Sequence, residues 1–152
     1  MIERLGDLPL PAAAHRLGDR PSFEVPPDLD DRAAFAFGVD LFHAGCLWEA
    51  HEVWEGLWRG LERESRGAHA LRGLIQAAAA GLKARAGRAA GVASLVAKAL
   101  AELEAAGESV DLGGWRVDLA DFAAALGEWA ARGGQGPTEG APATLRVSRP
   151  GA

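Results

Sequence analysis

Residues 48–58, WEAHEVWEGLW, place three glutamates, one histidine and three tryptophans in eleven consecutive positions. On a helix His51 and Glu55 are four residues apart and therefore neighbours, and Glu49, Glu52 and Glu55 follow one another at three-residue steps along nearly one side. Exposed like charges at that spacing cost roughly a few tenths of a kcal/mol per pair, so a positive charge belongs opposite them. A divalent metal would meet that need through a ring nitrogen of His51 and a carboxylate oxygen of Glu55, with Glu52 or Glu49 completing or supporting the set. Basic side chains would meet it too: His69, Arg72, Gln76 and Lys83 share one narrow arc of the following helical segment, and facing helices commonly build such sites between them.

The spacing alone is weakly specific. HEVWE is one ligand short of the H-E-x-x-H zinc peptidase pattern, and no E-x-x-H pair points to a di-iron carboxylate bundle. Glutamates on a helix are often a solvated face, with His51 a local partner of Glu55. The tryptophans argue against that bland reading. Trp54 falls on the face with Cys46, Ala50, Val53 and Leu57, but Trp48 and Trp58 flank the acidic arc, where a solvated face rarely places indoles. That arc is expected to be covered by the third helix, by the N-terminal arm or by a second copy of the chain in a homo-oligomer.

The elements that must position these residues are helical. PPDLDD at 26–31 reads as a helix start, with Asp28 or Asp30 as the capping side chain. A first helix runs through RAAFAFGVDLFHA, and Gly45 breaks or bends the chain before CLWEAHEVWEGLWRGLERE. Leu71, Leu74, Ile75, Ala78 and Leu82 mark a third helix, and Val92, Leu95, Val96, Ala99, Leu100 and Leu103 a fourth. ESVDLGGWRV reads as a loop to Asp118, a cap candidate for a fifth helix that ends at Gly133 and Gly134. The expectation is an all-α, single-domain bundle of about five helices over residues 28–132, with no strands. An irregular, proline-rich arm covers 1–27 and a flexible tail covers 133–152, rich in Gly, Pro and small polar residues.

Composition excludes several classes. The chain has 152 residues, room for one domain, and its 49% hydrophobic and 24% charged content is that of a folding chain. One cysteine, Cys46, allows neither an intrachain disulfide nor a multi-cysteine zinc site, and it sits on the docking face as a core residue. A net charge of −5 with scattered basic residues predicts no nucleic-acid partner. With no apolar run approaching about 20 residues, no membrane contact is expected and a cytoplasmic location is. His15 is expected to be solvent-exposed, and Trp115 and Trp129 to belong to the core or to a lid over the last helix.

GVDLFHAGCLWEAHEVWEGLW, followed by LRGLIQAAAAGLKARAG and ALAELE, resembles an all-helical bacterial and archaeal family, domain of unknown function 309, over about residues 32–105. Its signature H-x-x-x-E-x-x-(W/Y) is met by His51, Glu55 and Trp58 within an E-A-H-E context, Glu49 to Glu52. The resemblance implies a helical fold and a suggested metal-binding role for the signature, without an assigned activity. The chain departs from the family pattern at His43, where asparagine is usual, and at Leu47, where an aromatic is.

Two functional expectations follow. In the first, His51, Glu55, Glu52, Glu49, Trp58, Arg72, Gln76 and Lys83 line a pocket for a divalent metal, held by His51 and Glu55, or for a small polar ligand. Were it catalytic, a metal-bound water beside a spare glutamate would favour hydrolysis. The spacing assigns no catalytic residue. In the second, Glu49, Glu52 and Glu55 pair with Arg72 and Lys83 in a buried salt-bridge network or oligomer interface, which sets register more than stability.

Overall fold

Asp30 opens the first helix by accepting the Ala33 N–H at 2.8 Å, so helix α1 runs Asp31–His43. The computed structural model describes residues 3–11, 23–134 and 141–149; His15 and the remainder of the expected arm and tail lie outside them. Gly45, at φ 84°, turns the chain after α1, and α2 begins at Leu47 and ends at Arg59. These are therefore two helices and not one bent one. A left-handed φ is where glycine has no steric penalty.

Helix α3, Arg66–Arg85, starts earlier than its apolar stripe suggests because Ser65 caps it, its hydroxyl accepting the Ala68 N–H at 3.1 Å. Helix α4, Ala89–Ala106, packs along α3. The close approach depends on Gly73, where an added Cβ would stand 2.8 Å from the Leu103 side chain. Helix α5 spans Ala120–Ala131, and the Asp121 N–H donates to Asp118 Oδ1 at 3.3 Å at its start. Phe35, Phe42, Leu74, Phe122 and Trp54 are fully buried in the core between the helices.

The fold is mostly helical, as expected, but it also holds a small sheet that the expectation of no strands missed. Strands β1, Ser109–Leu112, and β2, Trp115–Asp118, form an antiparallel hairpin with Leu112 opposite Trp115. Gly113 and Gly114 take φ of 57° and 83°, the left-handed pair a two-residue hairpin turn requires. Val110, Leu112, Trp115 and Val117 are buried while Asp111 and Arg116 face out, the period-two alternation of a half-buried strand. Strand β3, Arg146–Ser148, adds to β2, Val147 opposite Val117. Thus residues 141–149, read from composition as part of a flexible tail, bury Ala143 and Leu145 and contribute a strand.

Helix α1 anchors both terminal segments through two side chains that sequence reasoning did not single out for this. Asp40, 4% exposed, accepts the N–H groups of Leu5 at 2.8 Å and Gly6 at 3.0 Å, and Arg4 Nε lies 3.6 Å away. One turn on, His43 Nε2 accepts the Leu145 N–H at 3.0 Å. Burial lowers the His43 pKa against the opposing pull of Asp40, which keeps the ring in the neutral form that can accept.

Candidate functional site

Helix α2 is two-faced because its apolar residues recur at three- and four-residue spacing. Ala50, Val53, Trp54 and Leu57 are buried, and Trp54 meets Phe42 with ring centroids 5.4 Å apart. An added Cβ at Gly38 of α1 would overlap the Trp54 indole, so only glycine admits that ring. His51, Glu52, Glu55 and Trp58 are half-buried on the other flank.

Helices α2 and α3 run antiparallel across a short connection, and two contacts set their register. The Arg72 guanidinium lies 5.3 Å from the Trp58 ring centroid, and at the other end Leu47 fills the place a Cβ on Gly81 would take. Stepping inward from both pairs brings Gln76 level with the turn between His51 and Glu55, at about 1.5 Å of rise per residue. The seam between the helices is therefore walled by His51, Glu55 and Trp58 on one side and Arg72 and Gln76 on the other.

Within it, His51 Nε2 stands 3.4 Å from Glu55 Oε2, and His51 Nδ1 stands 3.7 Å from Glu52 Oε1. Glu55 also pairs with Arg59 one turn on. On the walls of the seam, Nδ1 of His51, Nε1 of Trp58 and Oε1 of Gln76 are buried with no hydrogen-bond partner among the described residues. Trp54 Nε1 is in the same state, but it belongs to the core contact with α1. A buried donor or acceptor left unmade costs about 1–3 kcal/mol.

The other expected residues are engaged differently. Glu49 is 2% exposed and leaves the acidic arc for the buried side of α2. Each three-residue step turns about 300° round a helix, so Glu49 and Glu55 drift roughly 120° apart. Arg72 pairs across to α4, its Nη1 3.1 Å from Glu102 Oε2, and His69 Nδ1 is 3.3 Å from the same oxygen. Lys83 lays its stem against Gly91, where an added Cβ would be 3.2 Å from Lys83 Cδ, and it makes no ion pair with α2 among the described residues. Glu102 is the member of this neighbourhood that sequence reasoning missed. An acid on a fourth helix carries no spacing signal toward α3, and only the α3–α4 packing brings it to His69 and Arg72.

As a metal centre the seam is incomplete from protein residues. Among the described residues no three His, Cys, Asp or Glu side chains gather into a metal-binding group, and His51 with Glu55 supplies two donors where catalytic zinc sites use three. Cys46 adds none. Burial and the Glu49 charge, opposed by Arg85, push its thiol pKa up, so it stays a protonated core residue. No described helix is long and apolar enough to cross a membrane.

Residues 35–95 match the family model described as Domain of unknown function (DUF309). That stretch takes in most of α1, all of α2 and α3 and the start of α4, and so includes every wall of the seam. No curated protein matches the chain.

Proposed function

We propose that this chain, whose residues 35–95 match the DUF309 family model, binds a small polar ligand in the seam between α2 and α3. The observation that carries the reading is that His51 Nδ1, Trp58 Nε1 and Gln76 Oε1, on the facing walls of this seam, are buried polar atoms without hydrogen-bond partners among the described residues. Trp58 offers a donor only, Gln76 Oε1 an acceptor, and the imidazole either, depending on tautomer. A ligand with both a hydrogen-bond donor and an acceptor would complete all three. Glu52 and Glu55 beside them favour a neutral or cationic ligand over an anion. Arg72, held by Glu102 and stacked on Trp58, fixes the indole that presents the donor.

A divalent cation is the second reading, favoured by the 3.4 Å approach of His51 Nε2 to Glu55 Oε2. Gln76 Oε1 would be the third donor, beside one ring nitrogen and one carboxylate oxygen, and ligand atoms or water would fill the remaining positions. The experiment for both is the same preparation. Tag-free protein, wild type beside His51→Ala, is analysed for metals by elemental mass spectrometry and then screened by thermal shift against divalent ions and a panel of small polar compounds. A hit that stabilises the wild type and loses at least about tenfold in affinity in Trp58→Phe and Gln76→Leu supports the pocket. A hit unaffected by those variants, or no hit with ions or compounds, sinks it.

A further inference from the structure

A pair of arginines without ion-pair partners stands at a cleft of about 260 Å³ beside the N-terminal half of α1, lined by none of the residues that wall the seam. Leu5, Leu8, Ala36 and Phe37 give it an apolar wall, and Trp115 of β2 closes one side. The Trp115 ring is fixed in place because its Nε1–H donates to the Arg32 carbonyl at 2.9 Å. Two guanidinium groups address that one ring: Arg32 at 4.6 Å from its centroid and Arg149 at 5.9 Å. Neither guanidinium makes an ion pair or hydrogen bond among the described residues, although the chain carries 21 acids against 16 bases. Two like charges gathered on one indole, neither of them in an ion pair among the described residues, form an electrostatically unfinished arrangement.

Three acids also line the cleft, and two of them are spoken for. Asp40 is held by the Leu5 and Gly6 N–H groups and faces Arg4, and Asp30 caps α1 through the Ala33 N–H. Asp7 is exposed at the rim. The volume sits just under the usual range of roughly 300–1,000 Å³ for ligand pockets, so an occupant would be small. We propose that this cleft binds a small organic anion, its carboxylate or phosphate between Arg32 and Arg149 and its short apolar body against Trp115, Phe37 and Leu8. Planar guanidinium forks match both oxyanions in bidentate geometry.

The test is a titration of nitrogen-15-labelled full-length protein with benzoate, phenyl phosphate and the neutral benzyl alcohol, followed at the Trp115 indole resonance. The assignment comes from Trp115→Phe. A saturable shift with at least one anion is expected, with affinity at least about tenfold weaker in the Arg32→Gln, Arg149→Gln double variant and for benzyl alcohol. Both arginines are exposed, so the double variant should keep the wild-type unfolding midpoint. The tighter of the two anions distinguishes a phosphate site from a carboxylate site. No saturable shift up to about 10 mM of either anion, or equal binding of benzyl alcohol, or equal binding by the double variant, overturns the proposal.

Discussion

Helix α1 and the α2–α3 seam both bury polar groups, and they treat them in opposite ways. On α1, Asp40 and His43 accept backbone N–H groups from Leu5, Gly6 and Leu145, so each acceptor has a donor and each terminal segment has an anchor. In the seam, His51 Nδ1, Trp58 Nε1 and Gln76 Oε1 have none among the described residues. Satisfied buried groups hold a fold together, whereas unsatisfied ones subtract from stability and are kept where something else is to be bound. The same distinction separates stability mutations from binding mutations in this molecule.

The largest effect expected from that contrast is at Asp40. Asp40→Ala takes the acceptor from the part-buried N–H groups of Leu5 and Gly6 and should cost on the order of 2 kcal/mol, read as a lower urea midpoint. A loss under about 1 kcal/mol would erase the contrast. Next comes His43. Its pKa is lowered by burial, so the folded state resists protonation more than the unfolded one. Its contribution is therefore complete above the ordinary histidine value of about 6.5 and falls as pH drops through the lower folded value. Wild type should lose more stability than His43→Leu between neutral and mildly acidic pH, in parallel urea titrations. Identical pH slopes would contradict the Leu145 anchor.

Smaller, and opposite in sign, are the seam variants. Gln76→Leu and Trp58→Phe remove orphaned polar atoms, so each should leave stability within about 1 kcal/mol of wild type or raise it. A loss of about 2 kcal/mol or more in both would make them structural residues like Asp40. The smallest effect is at Cys46, whose raised pKa and burial predict alkylation by iodoacetamide only as fast as the protein unfolds. Rapid labelling of the native state would place it outside the core.

Much of this was legible from residue order. Apolar spacing located the five helices, and Gly45 and Asp30 marked helix boundaries, because local backbone physics decides such features. The hairpin was half legible: Gly113–Gly114 between alternating apolar residues is a turn signal that a helix-centred reading passed over. Strand β3 was not legible, since Arg146–Ser148 becomes a strand only by pairing with β2. In the candidate site, His51, Glu55 and Trp58 followed from helix spacing, and Gln76 from the polar arc of α3. Glu49 lies apart from them, because three-residue steps drift around the helix toward its buried side. Arg72 was on the right face, but its partner Glu102 sits on α4, and no spacing along the chain encodes a contact 30 residues away.

The most direct measurement of the central claim compares two indoles in one spectrum. With Trp54 and Trp58 assigned by single substitutions, nitrogen-15 spectra are recorded across a panel of small polar compounds and divalent ions. The account predicts a saturable shift of the Trp58 indole resonance, accompanied by the His51 ring and abolished in Gln76→Leu, while the core indole of Trp54 stays still. Shifts of Trp54 and Trp58 in parallel, or a Trp58 resonance that answers to nothing in the panel, would contradict it.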